Sequence, residues 1–116
     1  MINFLCYPKC STCQKAKRWL ESNNISFTER HIVDKNPTYE ELKKWFIKSG
    51  LPIKRFFNTS GVLYKELSLK EKLHNMSEDE MLHLLATNGK LVKRPIIVSD
   101  NLVLVGFKED EWIKLQ

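Results

Sequence analysis

The sequence has no run approaching the roughly eighteen apolar residues of a membrane span, and no basic stretch leading into an apolar one. Membrane insertion and secretion are therefore not expected, and a cytosolic location is. Glycine is scarce, and its four widely spaced residues form no phosphate-cradling loop, so nucleotide and flavin chemistry have no foothold. Cysteine is equally scarce. Three residues are an odd count, which excludes a complete disulfide framework and suits free thiols in a reducing compartment. No arginine-rich block, repeat or low-complexity tract occurs. Nineteen Lys and Arg residues are interleaved with fourteen acids, so the net charge of +5 reads as a solvated basic surface, with no direct nucleic-acid contact expected. At 116 residues the chain suffices for one domain with a single core, without disulfide staples.

What is present is Cys10-Ser11-Thr12-Cys13, which follows a short apolar strand signal (Ile2, Phe4, Leu5, Cys6) and opens a helical pattern. In a helix the two sulfurs share a face, and the first sits where backbone N–H groups lack partners. Those groups and the positive helix end favour thiolate over thiol. Lys9, Lys15, Lys17 and Arg18 surround the pair and no acid appears before Glu21, so the local field is expected to lower the Cys10 pKa further. Cys13, Ala16 and Leu20 recur on an apolar helix face with Trp19, making Cys13 the more buried sulfur. Cys10 is thus expected to attack and Cys13 to resolve the resulting mixed disulfide or sulfenic acid.

Two other readings of the pair are half a zinc site and inert core thiols. Zinc would need two further ligands from Cys6, His31, His74 and His83, which show no second metal-type spacing, and no metal is expected. Cys6 reads as a small core residue of the first strand, and the three histidines as isolated structural or surface groups. Trp19, Trp45 and Trp112 read as core. Arg94, just before Pro95, is either an ordinary surface base or an anion-binding group. Asn58, Thr59 and Ser60 either line a cleft or merely turn the chain.

Strand, helix and strand are expected over 2–6, about 11–23 and 26–32, broken at Asn23-Asn24. A capping box of Thr38 and Glu41 starts a helix that ends at Gly50 and Pro52. Short helices and turns follow over 53–75. A second box, Ser77 and Glu80, opens a helix expected to stop at Gly89. Pro95–Val98 and Leu102–Gly106 around Ser99-Asp100-Asn101 read as a hairpin, with a closing helix over 108–115. The order β-α-β, helical segment, α, β-β, α indicates an α/β, thioredoxin-like fold: a mixed four-stranded sheet with flanking helices and an inserted helical subdomain. The core would comprise about 1–36 and 76–116, and the insertion about 37–75.

Tyr7-Pro8-Lys9-Cys10-Ser11-Thr12-Cys13, Tyr64-Lys65-Glu66-Leu67, Arg94-Pro95-Ile96 and Gly106-Phe107-Lys108-Glu109-Asp110-Glu111 resemble the ArsC/Spx family of thioredoxin-fold proteins nearly end to end. Ser49-Gly50-Leu51-Pro52, with Phe56-Phe57-Asn58-Thr59-Ser60-Gly61, is similar to its small arsenate-reductase-like branch without a defined substrate. The resemblance implies a nucleophilic Cys10, an oxyanion-binding Arg94 and a cis Pro95 facing the active thiol. Lys9, Ser11, Thr12 and Asn58 join them as candidate substrate- or anion-binding residues.

Departures shape the expectation. Two further arginines of the arsenate reductases fall on Asn58 and Gly106, and a positioned donor typically supplies about 2.7 to 4 kcal/mol of transition-state stabilisation. Those reductases lack a cysteine at position 13 and carry histidine at position 6, whereas Spx regulators share the Cys-x-x-Cys and the glycine at 106. The primary expectation is a monomeric thiol-disulfide redox protein without a bound cofactor. Its reductant would be glutathione, bacillithiol, glutaredoxin or thioredoxin. The alternatives are an Spx-like redox switch docking on the RNA polymerase α subunit, and a glutathione- and glutaredoxin-dependent arsenate reductase.

Overall fold

The computed structural model describes residues 1–116. Its elements are β1 (Asn3–Cys6), α1 (Ser11–Ser22), β2 (Thr28–His31), α2 (Tyr39–Ser49), α3 (Val62–Glu66), α4 (Leu69–Lys72), α5 (Glu78–Leu85), β3 (Ile96–Val98), β4 (Val103–Val105) and α6 (Glu109–Trp112). Single 3-10 turns lie at Ile53–Phe56, Leu73–Asn75, Gly89–Leu91 and Ile113–Leu115. The sheet order is β2-β1-β3-β4, with β1 parallel to β2 and the remaining pairs antiparallel. This is the mixed four-stranded, thioredoxin-like arrangement that the element order indicated.

The two-residue pleat sorts the core into two layers. Phe4, Cys6, Ile97 and Leu104 pack on one face with Cys13, Ala16 and Leu20 of α1 and with Trp112 of α6. Leu5, Ile96, Val103 and Val105 face the other way, onto Leu42 and Trp45 of α2, Leu82 and Leu85 of α5, and Phe56 and Phe57. Trp112 is fully buried among Phe4, Trp19 and Phe107 in edge-to-face contacts, and its indole N–H donates to the Gly106 carbonyl at 3.0 Å. Trp45 is buried, whereas Trp19 keeps partial exposure at the rim of its layer.

Both capping boxes form: the Thr38 and Ser77 hydroxyls accept from the N–H groups of Glu41 and Glu80, whose carboxylates accept in return. Gly50 ends α2 with φ at 68°, the left-handed cap that a side chain disfavours. Several boundaries differ from expectation. β2 is confined to Thr28–His31; Phe27 turns inward against Phe4 instead of continuing the ladder. α5 ends at Leu85, short of Gly89. Gly89 instead opens a 3-10 turn against the chain at Ile32, whose carbonyl oxygen would lie 2.0 Å from any Cβ there. A packing requirement, not a helix stop, explains this glycine. The closing helix is a single α-turn followed by a 3-10 turn.

Candidate functional site

The segment between β1 and α1 turns tightly, with the Cys10 N–H donating to the Tyr7 carbonyl at 2.9 Å. Cys10 is the N-cap of α1, in extended conformation, so its sulfur faces the unpaired donors of the first helical turn. Partial burial pushes its thiol pKa up. The Cys13 N–H and thiol, the Thr12 N–H and the Arg94 guanidinium more than offset this, and the net shift is downward. These neighbours, and not Lys9, Lys15, Lys17 or Arg18, are the causes of the lowering.

Cys13 is nearly fully buried and accepts the Tyr7 N–H at 3.3 Å. Burial first, and then the charge and hydrogen bond of Cys10, push its thiol up to about 12. The partly exposed sulfur is therefore the more acidic of the two, and its buried neighbour is held as thiol. Arg94 follows the 3-10 turn at Gly89–Leu91, donates to the Lys90 carbonyl at 3.4 Å, and lies 4.9 Å over the Tyr7 ring. Its peptide bond to the buried Pro95 is cis, and the Pro95 carbonyl accepts the Gly106 N–H at 2.8 Å.

Cys10 opens on a cavity of about 440 Å³ lined by Thr12, Asn58, Ser60 and four cations, Arg55, Lys93, Arg94 and Lys108, with no carboxylate. Of the residues singled out in the sequence, Cys10, Thr12, Asn58 and Arg94 meet there. Ser11 is exposed outside the lining, Pro95 lies behind it, and Lys9 projects from the turn toward a separate depression with His31 and Asp34. Arg55, Lys93 and Lys108 were not distinguishable in sequence from other surface cations. Lys93 adjoins the Arg94-Pro95 motif, the only local hint. Gly106, at φ 80°, keeps the floor low; the nearest atom to a Cβ there would be Lys93 Cε at 3.4 Å. The only grouping with metal-type donors is elsewhere, at Cys6, Glu29 and His31. Burial and the adjacent Glu29 carboxylate push the Cys6 thiol up to about 12.

A model of the ArsC family matches residues 5–115. The chain belongs to the ArsC family. The chain is 55% identical over 111 residues to the uncharacterised protein YusI of Bacillus subtilis, covering 96% of this chain and 94% of YusI. It is 35% identical to the regulatory protein MgsR of Bacillus subtilis, over 98% of this chain and 89% of MgsR. It is 31% identical to the global transcriptional regulator Spx of Enterococcus faecalis, over 96% and 83% respectively. The structure of an ArsC family related protein from Bacteroides fragilis superposes with a TM-score of 0.98 at 65% identity, over 99% of this chain and 97% of that one. An arsenate reductase from Vibrio cholerae gives 0.86 at 26% identity, over 99% and 97%. No helix of this ArsC-family chain is long and apolar enough to cross a membrane.

Proposed function

We propose that this protein is a cytosolic thiol-disulfide oxidoreductase acting on anionic, low-molecular-weight thiols and disulfides. The observation that carries the proposal is the pairing of a lowered-pKa Cys10, open to a carboxylate-free cationic cavity, with a buried Cys13 thiol directly beneath it. The Cys10 thiolate attacks one sulfur of a disulfide RSSR, forming Cys10–S–SR and releasing RS⁻. The Cys13 thiol then loses its proton to solvent or to the departing thiolate and attacks the Cys10 sulfur, expelling the second RS⁻. Two electrons pass from the protein dithiol to the substrate, and glutathione, bacillithiol, a glutaredoxin or a thioredoxin restores them.

The electrostatics support this order. After burial, the Cys10 charge is a cause of the high Cys13 pKa, and that charge vanishes when Cys10 enters the mixed disulfide. Cys13 thus becomes more acidic at the step that needs its thiolate. The cavity volume lies within the range of drug-sized ligand pockets, about 300–1,000 Å³, and suits a thiol conjugate carrying carboxylates. Asn58 and Gly106 stand where arsenate reductases place arginines, which favours an organic anion over arsenate. The test is turnover of glutathione disulfide and bacillithiol disulfide: the wild type should reduce at least one, Cys10→Ser none, and Cys13→Ser should stall as a mixed disulfide. Full activity in Cys10→Ser would defeat the proposal.

A second reading draws on MgsR and Spx, both named as regulators. In it, Cys10-Cys13 oxidation alters a surface recognised by RNA polymerase. Retention of the polymerase α subunit by oxidised but not reduced protein would favour it; equal failure of both forms would remove it.

A further inference from the structure

At the sheet edge, away from the Cys10 cavity, three donors converge from adjacent strands. Cys6 ends β1 in register with His31 at the end of β2, and Glu29, two residues earlier on β2, shares the same face. The Cys6 thiol donates to Glu29 Oε2 at 3.4 Å, and His31 Nε2 lies 3.2 Å from that same oxygen. All three donor atoms fall within 4.8 Å of one another. Tetrahedral zinc, with bonds of about 2.3 Å to sulfur and about 2.0–2.1 Å to nitrogen and oxygen, sets its ligands roughly 3.3–3.6 Å apart. Two edges of the triangle already lie near that spacing.

A plain hydrogen-bonded trio would share those two edges, so the surrounding groups decide. Lys17 Nζ binds the other Glu29 oxygen at 2.9 Å, leaving Oε2 directed at Cys6 and His31. Asp34 Oδ2 lies 3.8 Å from His31 Nδ1, on the ring edge opposite Nε2. The Lys17 bond to the spare carboxylate oxygen is an outer contact of the kind that orients metal ligands, and Asp34, beyond hydrogen-bond distance, stands on the side of the free histidine nitrogen. A cavity of about 130 Å³, lined by Cys6, Glu29 and Lys17, opens beside two of the three donors and leaves room there for a fourth ligand.

We propose that Cys6 Sγ, Glu29 Oε2 and His31 Nε2 form a three-ligand zinc site, completed by water, that ties β1 to β2. On binding, the thiol proton is released to solvent and a Zn–S bond replaces the hydrogen bond to Glu29. Because Cys13 lines the same small cavity, zinc on Cys6 also withdraws the third thiol from disulfide exchange. The proposal is independent of the reaction assigned to Cys10.

The probe is Co²⁺, titrated into the full chain carrying Cys10→Ser and Cys13→Ser so that the redox pair contributes no ligand, then displaced by Zn²⁺. One equivalent should give tetrahedral cobalt bands and a thiolate-to-cobalt charge-transfer band that Zn²⁺ abolishes. Adding Cys6→Ser should remove the charge-transfer band. The more exposed variants His31→Gln and Glu29→Gln, which keep the core intact, should each weaken binding at least tenfold, and Asp34→Asn should weaken it about tenfold. Absence of the thiolate band at one equivalent would overturn the proposal, as would affinity unchanged in His31→Gln and Glu29→Gln.

Discussion

Replacing Arg94 with alanine removes the one side-chain cation among the groups that lower the Cys10 pKa, while leaving Thr12 and Cys13 in place. A hydrogen bond to a charged group contributes about 1.5–3 kcal/mol. Arg94 is half-exposed, so screening puts its contribution just below that range, about 1.4 kcal/mol, a factor of ten in an equilibrium. The sign follows from stabilisation of the thiolate: its loss raises the pKa. Well below that pKa the thiolate population should fall about tenfold, but the more basic thiolate is intrinsically about threefold more nucleophilic, given a Brønsted coefficient of about 0.4–0.5. The alkylation rate of Cys10 with neutral iodoacetamide should therefore drop about three- to fourfold at low pH and rise about threefold on the high-pH plateau. The pH-rate profiles of the two proteins cross. Arg94→Lys, which keeps charge but not the planar fork, should shift the profile less. Superimposable profiles would refute the assigned role of Arg94, and a uniform drop at every pH would indicate altered access instead.

Trp112→Ala empties the centre of the α1–α6 layer and leaves the Gly106 carbonyl without its indole donor; urea unfolding should show a loss of about 3–5 kcal/mol. Gly89→Ala, although conservative in size, should be destabilised by about 3 kcal/mol or more, because the obstructing atom is the Ile32 backbone carbonyl and cannot swing aside. Arg30 Nη1 meets Glu41 Oε2 at 2.7 Å, and this hydrogen bond is the main cause holding the Glu41 carboxyl below the ordinary carboxylate range. A depressed pKa contributes stability above the unfolded value of about 4.3 and loses it as pH falls through the folded value. Glu41→Gln should thus lose about 1 kcal/mol at pH 7 by thermal unfolding, and the difference from wild type should close on acidification below pH ~4.

What was legible in the sequence was local. The Cys-x-x-Cys at a strand-to-helix junction, the two capping boxes and the hairpin break each depend on residues a few positions apart, and each appears where its spacing placed it. The cationic cavity was not local. Arg55 belongs to a 3-10 turn, and Lys93 and Lys108 flank the hairpin. They meet because the chain at Phe56–Asn58 is tied to residues 91–93, with Asn58 N–H donating to Leu91 at 2.8 Å and Lys93 N–H to Phe56 at 2.7 Å. Lys9, adjacent to Cys10 in sequence, lies outside the cavity lining and borders the depression with His31 and Asp34. Cys6 was read as core filler and is buried, but its hydrogen bond to Glu29 spans 23 residues and no short motif encodes it.

The central claim, a functional Cys10-Cys13 couple, is tested most directly by equilibrating the protein in thiol-disulfide buffers of graded potential and trapping free thiols with a mass-tagged alkylator. The account predicts a reversible two-electron transition between these two residues at roughly −200 to −300 mV, near the cytosolic poise, absent from Cys10→Ser and Cys13→Ser. Three alkylated thiols at every potential, with no internal disulfide, would contradict it.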